Sequence, residues 1–264
     1  MKDILWKSCF ALLLSGVLIS SQAQSVSEKE LTEIRSSFEP SSSNAAIQNM
    51  LTENANIKTL ALNHKLQGKI DHFFKYRVQV KGITDQKSSG RCWMFTSMNV
   101  LRPSIMDKYN LATFDFSHNY LFFWDMFEKS NLFLENIIQT ADSPYDDRMV
   151  VELLKSPVSD GGVWNLYYNL GEKYGVVPKE VMPETAHSNN TGQMRSILNE
   201  SLRGAAYNLR EAAANGVKAD ALRKQKTEAL KDVYRILALC LGEPPANFTW
   251  RYKDKSGEIK ALKD

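Results

Sequence analysis

Asp85-Gln86-Lys87-Ser88-Ser89-Gly90-Arg91-Cys92-Trp93 is the stretch on which the reading of this chain turns. Cys92 is followed by Trp93 and then by Met94-Phe95-Thr96-Ser97-Met98, which places a thiol in the first turn of a buried helix. At that position the unpaired backbone N–H groups and the helix dipole favour thiolate over thiol. Gln86 lies six positions upstream on the incoming loop, where its side-chain amide can donate to an oxyanion formed beside the sulfur. Gly90, two residues before Cys92, allows another backbone or a substrate to come close. Nucleophile, oxyanion donor and tight turn therefore share seven residues.

The segment resembles the active-site stretch of papain-like cysteine peptidases, whose local signature reads Cys-Gly-Ser/Ala-Cys-Trp/Tyr. Ser89 stands where the first cysteine of that signature would be, and Arg91 where its small residue would be. Those departures point to the bleomycin hydrolase/aminopeptidase C branch, which carries Gln-Lys-Ser-Ser-Gly-Arg-Cys-Trp. Four further blocks agree in the same order: Phe116 to Asp125 (FSHNYLFFWD), Asp160 to Trp164 (DGGVW), Glu172 to Lys179 (EKYGVVPK) and Leu241 to Trp250 (LGEPPANFTW). The resemblance runs from about residue 60 to Asp264 and covers about the first half of a family member.

The resemblance implies an α+β fold of the papain type. Its helical half makes up most of what is present, with a helical insertion at about 190–241 and the β-rich half largely lacking. It implies Cys92 as nucleophile, Gln86 as oxyanion donor, and Asp160, Gly161 and Gly162 as a turn bordering the substrate cleft. It also implies removal of N-terminal residues from peptides through an acyl-enzyme, and assembly into hexameric barrels. A non-catalytic fragment or assembly module of such a hexamer is the alternative.

The chemistry also needs a histidine base, oriented by Asn or Asp, to ionise the thiol and protonate the leaving amine. In papain-like enzymes that histidine lies roughly 130–150 residues after the cysteine, and the matching interval here holds none. The four histidines, His64, His72, His118 and His187, read as surface or packed residues. The family's histidine and asparagine are expected beyond Asp264, and little or no turnover is expected from this chain alone.

Composition sets wider bounds. With 264 residues, 43% hydrophobic and 24% charged, the chain is an ordinary globular sequence long enough for a sizeable core. A net charge of +3, with signs interspersed, gives no electrostatic footprint for nucleic acid. No His-Glu-x-x-His, Cys-x-x-Cys, acidic calcium loop, phosphate-cradling glycine run or Gly-x-Ser-x-Gly elbow occurs, so neither a metal nor another cofactor is expected.

At the N-terminus, Lys2 and Lys7 precede an apolar run from Cys9 to Ile19 and then Ser21-Gln22-Ala23. This is the pattern of a signal peptide over residues 1–23, cleaved before Gln24, with an apolar core short for a membrane span. The expectation is export to a periplasm or the outside, with no membrane association after cleavage. Residues 24–60 read as a polar leader with one short helix near Asn44 to Leu51, and 61–264 as the peptidase-like region. Cys240 sits in an apolar helical stripe and reads as an inert buried cysteine instead of a disulfide partner for Cys92.

Local patterns complete the expectation. A strand over residues 75–82 feeds the catalytic loop, and the helix opening at Cys92 ends or kinks around Pro103. A second helix is capped by Ser117 and runs to about Glu128, and another contains Trp164 and Leu170 and stops at Gly175. Apolar stripes from Met194 to Leu209 and from Leu222 to Leu241 have helical period. A strand begins near Asn247, and the chain ends on a polar run.

Overall fold

The computed structural model describes residues 25–38, 41–53, 56–66, 68–69, 71–78 and 82–263. The expected signal peptide lies outside the described residues. The chain divides into two units, residues 1–75 and 76–264.

In the first unit, α1 spans Glu28–Ser36, α2 Ser42–Glu53 and α3 Ile57–Leu60, followed by a 3-10 turn at His64–Leu66. Only α2 was expected, and it is longer than its apolar pattern indicated. The start of α1 is written in a capping box: Ser27 Oγ accepts from Glu30 N, and the Glu30 carboxylate accepts from Ser27 N. That box satisfies two orphan amides without any apolar face, and no residue of α1 is buried.

The second unit is built from α4 (Cys92–Lys108), α5 (His118–Gln139), α6 (Arg148–Lys155), α7 (Trp164–Tyr174), α8 (Ala186–Asn189), α9 (Gly192–Ala214) and α10 (Ala219–Leu241). A hairpin of β1 (Thr249–Lys253) and β2 (Ile259–Lys263) follows, antiparallel, with Trp250 opposite Leu262. The core is centred on α5. Leu121, Phe122, Phe123, Met126, Leu134 and Ile137 are fully buried there, each contributing about 1.5–3 kcal/mol of burial. α5 packs most extensively on α10 and α9. The stripe Met194, Leu198, Leu202 and Leu209 of α9 faces inward with Leu222, Val233, Leu237 and Leu241 of α10.

Ser117 caps α5 as expected, accepting from Tyr120 N at 3.0 Å while its hydroxyl donates to Met182 O. The helix runs eleven residues past Glu128, to Gln139, because its apolar face continues through Phe133, Leu134, Ile137 and Ile138. Asn119 Nδ2 donates to Leu241 O at 2.7 Å and Pro183 O at 2.8 Å, tying the start of α5 to the end of α10. α7 stops at Gly175, whose φ of +72° suits a residue without a Cβ.

Three expectations are corrected. Of the two courses expected at Pro103, an end or a kink, the end is not taken: α4 continues to Lys108; Met98, Arg102 and Met106 are buried on both sides of the proline, and that packing outweighs its missing N–H. The strand over 75–82 is not formed at residues 75–78 or at Gly82, and residues 79–81 lie outside the described residues. Among the described residues β1 and β2 pair only with each other. The polar run at the end of the chain forms β2, held by a turn in which Asp254 Oδ1 accepts from Ser256 N and Glu258 N. Among the described residues no helix is long and apolar enough to cross a membrane.

Candidate active site

Cys92 is the first residue of α4, exposed and free of any disulfide. No side chain caps this helix: Arg91 occupies the N-cap, and its carbonyl accepts from Met94 N and Phe95 N at 3.0 Å. The N-terminal end of α4, where Cys92 stands, is therefore not occupied by a capping side chain.

The Arg91 side chain turns inward instead. It is fully buried, its guanidinium lies 5.1 Å from the ring centres of both Phe95 and Phe122, and it forks onto Glu184 at 2.8 and 3.2 Å. Burial opposes ionisation of Glu184, but the Arg91 fork outweighs it and holds the carboxyl below the ordinary glutamate range. A buried charge is tolerated only when paired in this way. The residue before Cys92 is thus anchored in the core.

The incoming loop is held from three directions. Ser88 N donates to Asn189 O at 2.9 Å, making a parallel bridge to the segment after α8. Ser89 Oγ donates to Gln86 O at 2.6 Å, while Gln86 Nε2 donates back to Ser89 O. Gln86 thus spends one amide hydrogen inside the loop, and that bond leaves the second uncommitted.

Asp160 supplies the third hold. Its side chain is buried, Oδ2 accepts from Gly90 N at 2.7 Å and from Thr191 Oγ1 at 2.5 Å, and Oδ1 pairs with Arg195. Its carbonyl accepts from Trp93 Nε1 at 2.9 Å. Burial opposes its charge, yet the bonds from Thr191 and Gly90 and the Arg195 charge keep the carboxyl below the ordinary aspartate range.

The Asp160 carboxylate thus points beneath the loop, and it is the backbone of Gly161 that is exposed. Gly162 is pressed on α4: a Cβ there would fall 2.5 Å from the Trp93 ring.

Other groups stand apart. His118 lies in the core at 5% exposure, stacked on Phe95 with ring centres 3.6 Å apart. Burial drops it to about 4, and its Nε2 has no hydrogen-bond partner. His187 is in α8, and His64 and His72 belong to the first unit. Cys240 is half-buried, and burial pushes its thiol up. Among the described residues no cluster of His, Cys, Asp and Glu could hold a metal ion.

Glu184, Thr191 and Arg195 went unread in the sequence as parts of this site. Arg91 and Glu184 are 93 positions apart, and no local pattern links them.

The model of a peptidase C1-like family matches residues 25–264. Aminopeptidase C from Lactobacillus delbrueckii subsp. lactis is 43% identical over 195 residues, covering 74% of this chain and 43% of that protein. Bleomycin hydrolase from Homo sapiens is 40% identical over 195 residues, covering 72% of this chain and 43% of that protein. A crystal structure of PepW from Lactobacillus rhamnosis superposes with a TM-score of 0.86 at 36% identity, covering 91% of this chain and 54% of that one. The chain spans about half the length of the relatives it matches.

Proposed function

Because the chain belongs to the peptidase C1-like family, we propose that it carries the nucleophile half of a cysteine peptidase, acting as an aminopeptidase on peptides with Cys92 as the attacking group. The observation that carries the proposal is the exposed sulfur at the uncapped N-terminus of a helix whose preceding residue is anchored in the core. In the reaction Cys92 Sγ attacks the scissile carbonyl carbon, and the oxyanion takes donors from the helix N-terminus and the second amide hydrogen of Gln86. The amine then leaves with a proton, and water hydrolyses the thioester.

The proton steps need an imidazole. His118 is sealed against Phe95 and disfavours its charged form, so it does not serve as that base. The isolated chain then hydrolyses aminoacyl amides slowly or not at all. Adding the C-terminal half of the Lactobacillus delbrueckii aminopeptidase C should restore thiol-dependent hydrolysis, and Cys92→Ala should abolish it. Restored hydrolysis that survives Cys92→Ala, or none in any mixture, would overturn the reading; the latter favours the non-catalytic assembly module.

The hexameric assembly implied by the family resemblance belongs to the same proposal, and sedimentation of the chain tests it. Export through residues 1–23 rests on the sequence pattern, and N-terminal sequencing of secreted protein should begin at Gln24.

A further inference from the structure

Lys129 is not an ordinary surface lysine. It rises from α5, its side chain is 18% exposed, and its ammonium has three acceptors: Asp125 Oδ2 at 2.7 Å, Ser159 O at 2.9 Å and Gly161 O at 2.7 Å. An ammonium has three N–H groups, so this set uses all of them. Two of the three partners are the carbonyls immediately before and after Asp160. The third is a carboxylate at 2% exposure on the same helix, one turn earlier. The ammonium also lies 5.4 Å from the centre of the Trp93 ring.

The turn at residues 159–162 is therefore fixed from two sides. Toward the nucleophile, Asp160 holds Gly90 N, Trp93 Nε1 holds the Asp160 carbonyl, and Gly162 presses on the Trp93 ring. From α5, Lys129 grips the carbonyls that flank Asp160. Removing the lysine would leave those carbonyls to solvent and the Asp125 carboxylate buried without its cation.

We infer that Lys129 is a positioning residue that sets the Gly161–Gly162 backbone at the height where a peptide running to Cys92 must lie. The inference rests on the peptidase reading, since it gives that exposed backbone a peptide to meet. Lys129 does not touch the sulfur. Its effect falls on reagents that use the turn, and not on the reactivity of the thiol itself.

The test compares two alkylating agents on the whole chain: iodoacetamide, which needs only the sulfur, and a dipeptidyl chloromethyl ketone with a free N-terminus, which also needs the adjoining backbone. Lys129→Met should lower the rate with the dipeptidyl reagent about tenfold or more, toward the roughly hundredfold loss that a misplacement of about 1 Å can cause, while changing the iodoacetamide rate less than about twofold. Lys129→Arg, which keeps a multiple donor at that place, should recover most of the dipeptidyl rate. If Lys129→Met does not fold, Lys129→Gln, which retains two donors, decides on the same ratio. A preference for the dipeptidyl reagent that survives the variant, or equal losses with both reagents, overturns the inference and leaves the peptidase reading standing. A wild-type chain that shows no such preference sinks both.

Discussion

Gly90 and Asp160 are fitted to one another across the base of the loop that leads into Cys92. The Gly90 amide donates to Oδ2 at 2.7 Å, and a Cβ on Gly90 would lie 2.5 Å from Oδ1 and 2.8 Å from Cγ. The carboxylate cannot swing aside cheaply, because Thr191 and Arg195 hold it. Gly90→Ala should therefore lower stability by about 1–3 kcal/mol, the range for an overpacked site. Urea denaturation followed by tryptophan fluorescence measures it, and an unchanged midpoint would show that the carboxylate relocates freely.

The Arg91–Glu184 fork makes a second expectation. Glu184→Ala leaves a guanidinium with no exposure and no counter-charge, which should cost about 3–5 kcal/mol. Replacing both partners with methionine should recover much of that loss, since buried pairs exchange well for apolar residues. Denaturation of the single and double variants settles it; equal losses in both would mean that the pair itself stabilises the fold.

Two buried groups pull stability in opposite directions with pH. Burial raises the Asp125 carboxyl from 3.8 to about 6 against the Lys129 charge, so the folded chain keeps a proton that the unfolded chain loses. That contribution falls away as pH rises from about 4 to 6. Burial lowers His118 from 6.5 to about 4, so the unfolded chain holds the extra proton and stability grows as pH rises through the same window. In the wild type these two contributions should nearly cancel there. Asp125→Asn should unmask a rise of about 3 kcal/mol between pH 4 and 6.5, and His118→Phe a fall of about the same size. Denaturant titrations at four pH values distinguish these slopes, and parallel curves for all three proteins would contradict the burial argument.

The two described thiols should differ in access. Iodoacetamide should label exposed Cys92 within minutes and half-buried Cys240, whose thiol burial pushes up, at least tenfold more slowly. Peptide mapping reads both sites in one sample. Equal labelling under native conditions would place Cys240 at the surface.

What could be read from the residues alone was whatever is decided locally. Ser117 and Gly175 announce a helix start and stop because capping involves only near neighbours, and α9 and α10 show their apolar period directly. Pro103 misleads because the local penalty is real, while the burial of Arg102 and Met106 that overrides it comes from distant chain. α1 and α6 begin on Ser27 and Asp147 caps, signals present in the sequence but not accompanied by a long apolar face. β2 has no pattern of its own, since one of its five residues is partly covered and the rest are exposed. In the site, Cys92 and Gln86 stand out because they share a loop. Lys129 does not, because its partners on the 159–162 turn lie 30 and 32 positions away.

The most direct test of the account is covalent. An aminoacyl ester with a good leaving group needs no general acid to protonate that group, so it can acylate the sulfur even in the chain alone. Mass spectrometry of the protein after mixing with such an ester should show one aminoacyl adduct, mapped to Cys92 and absent from Cys92→Ser. An adduct on Cys240, or an unmodified Cys92 in folded protein, would contradict the claim that this sulfur is a peptidase nucleophile.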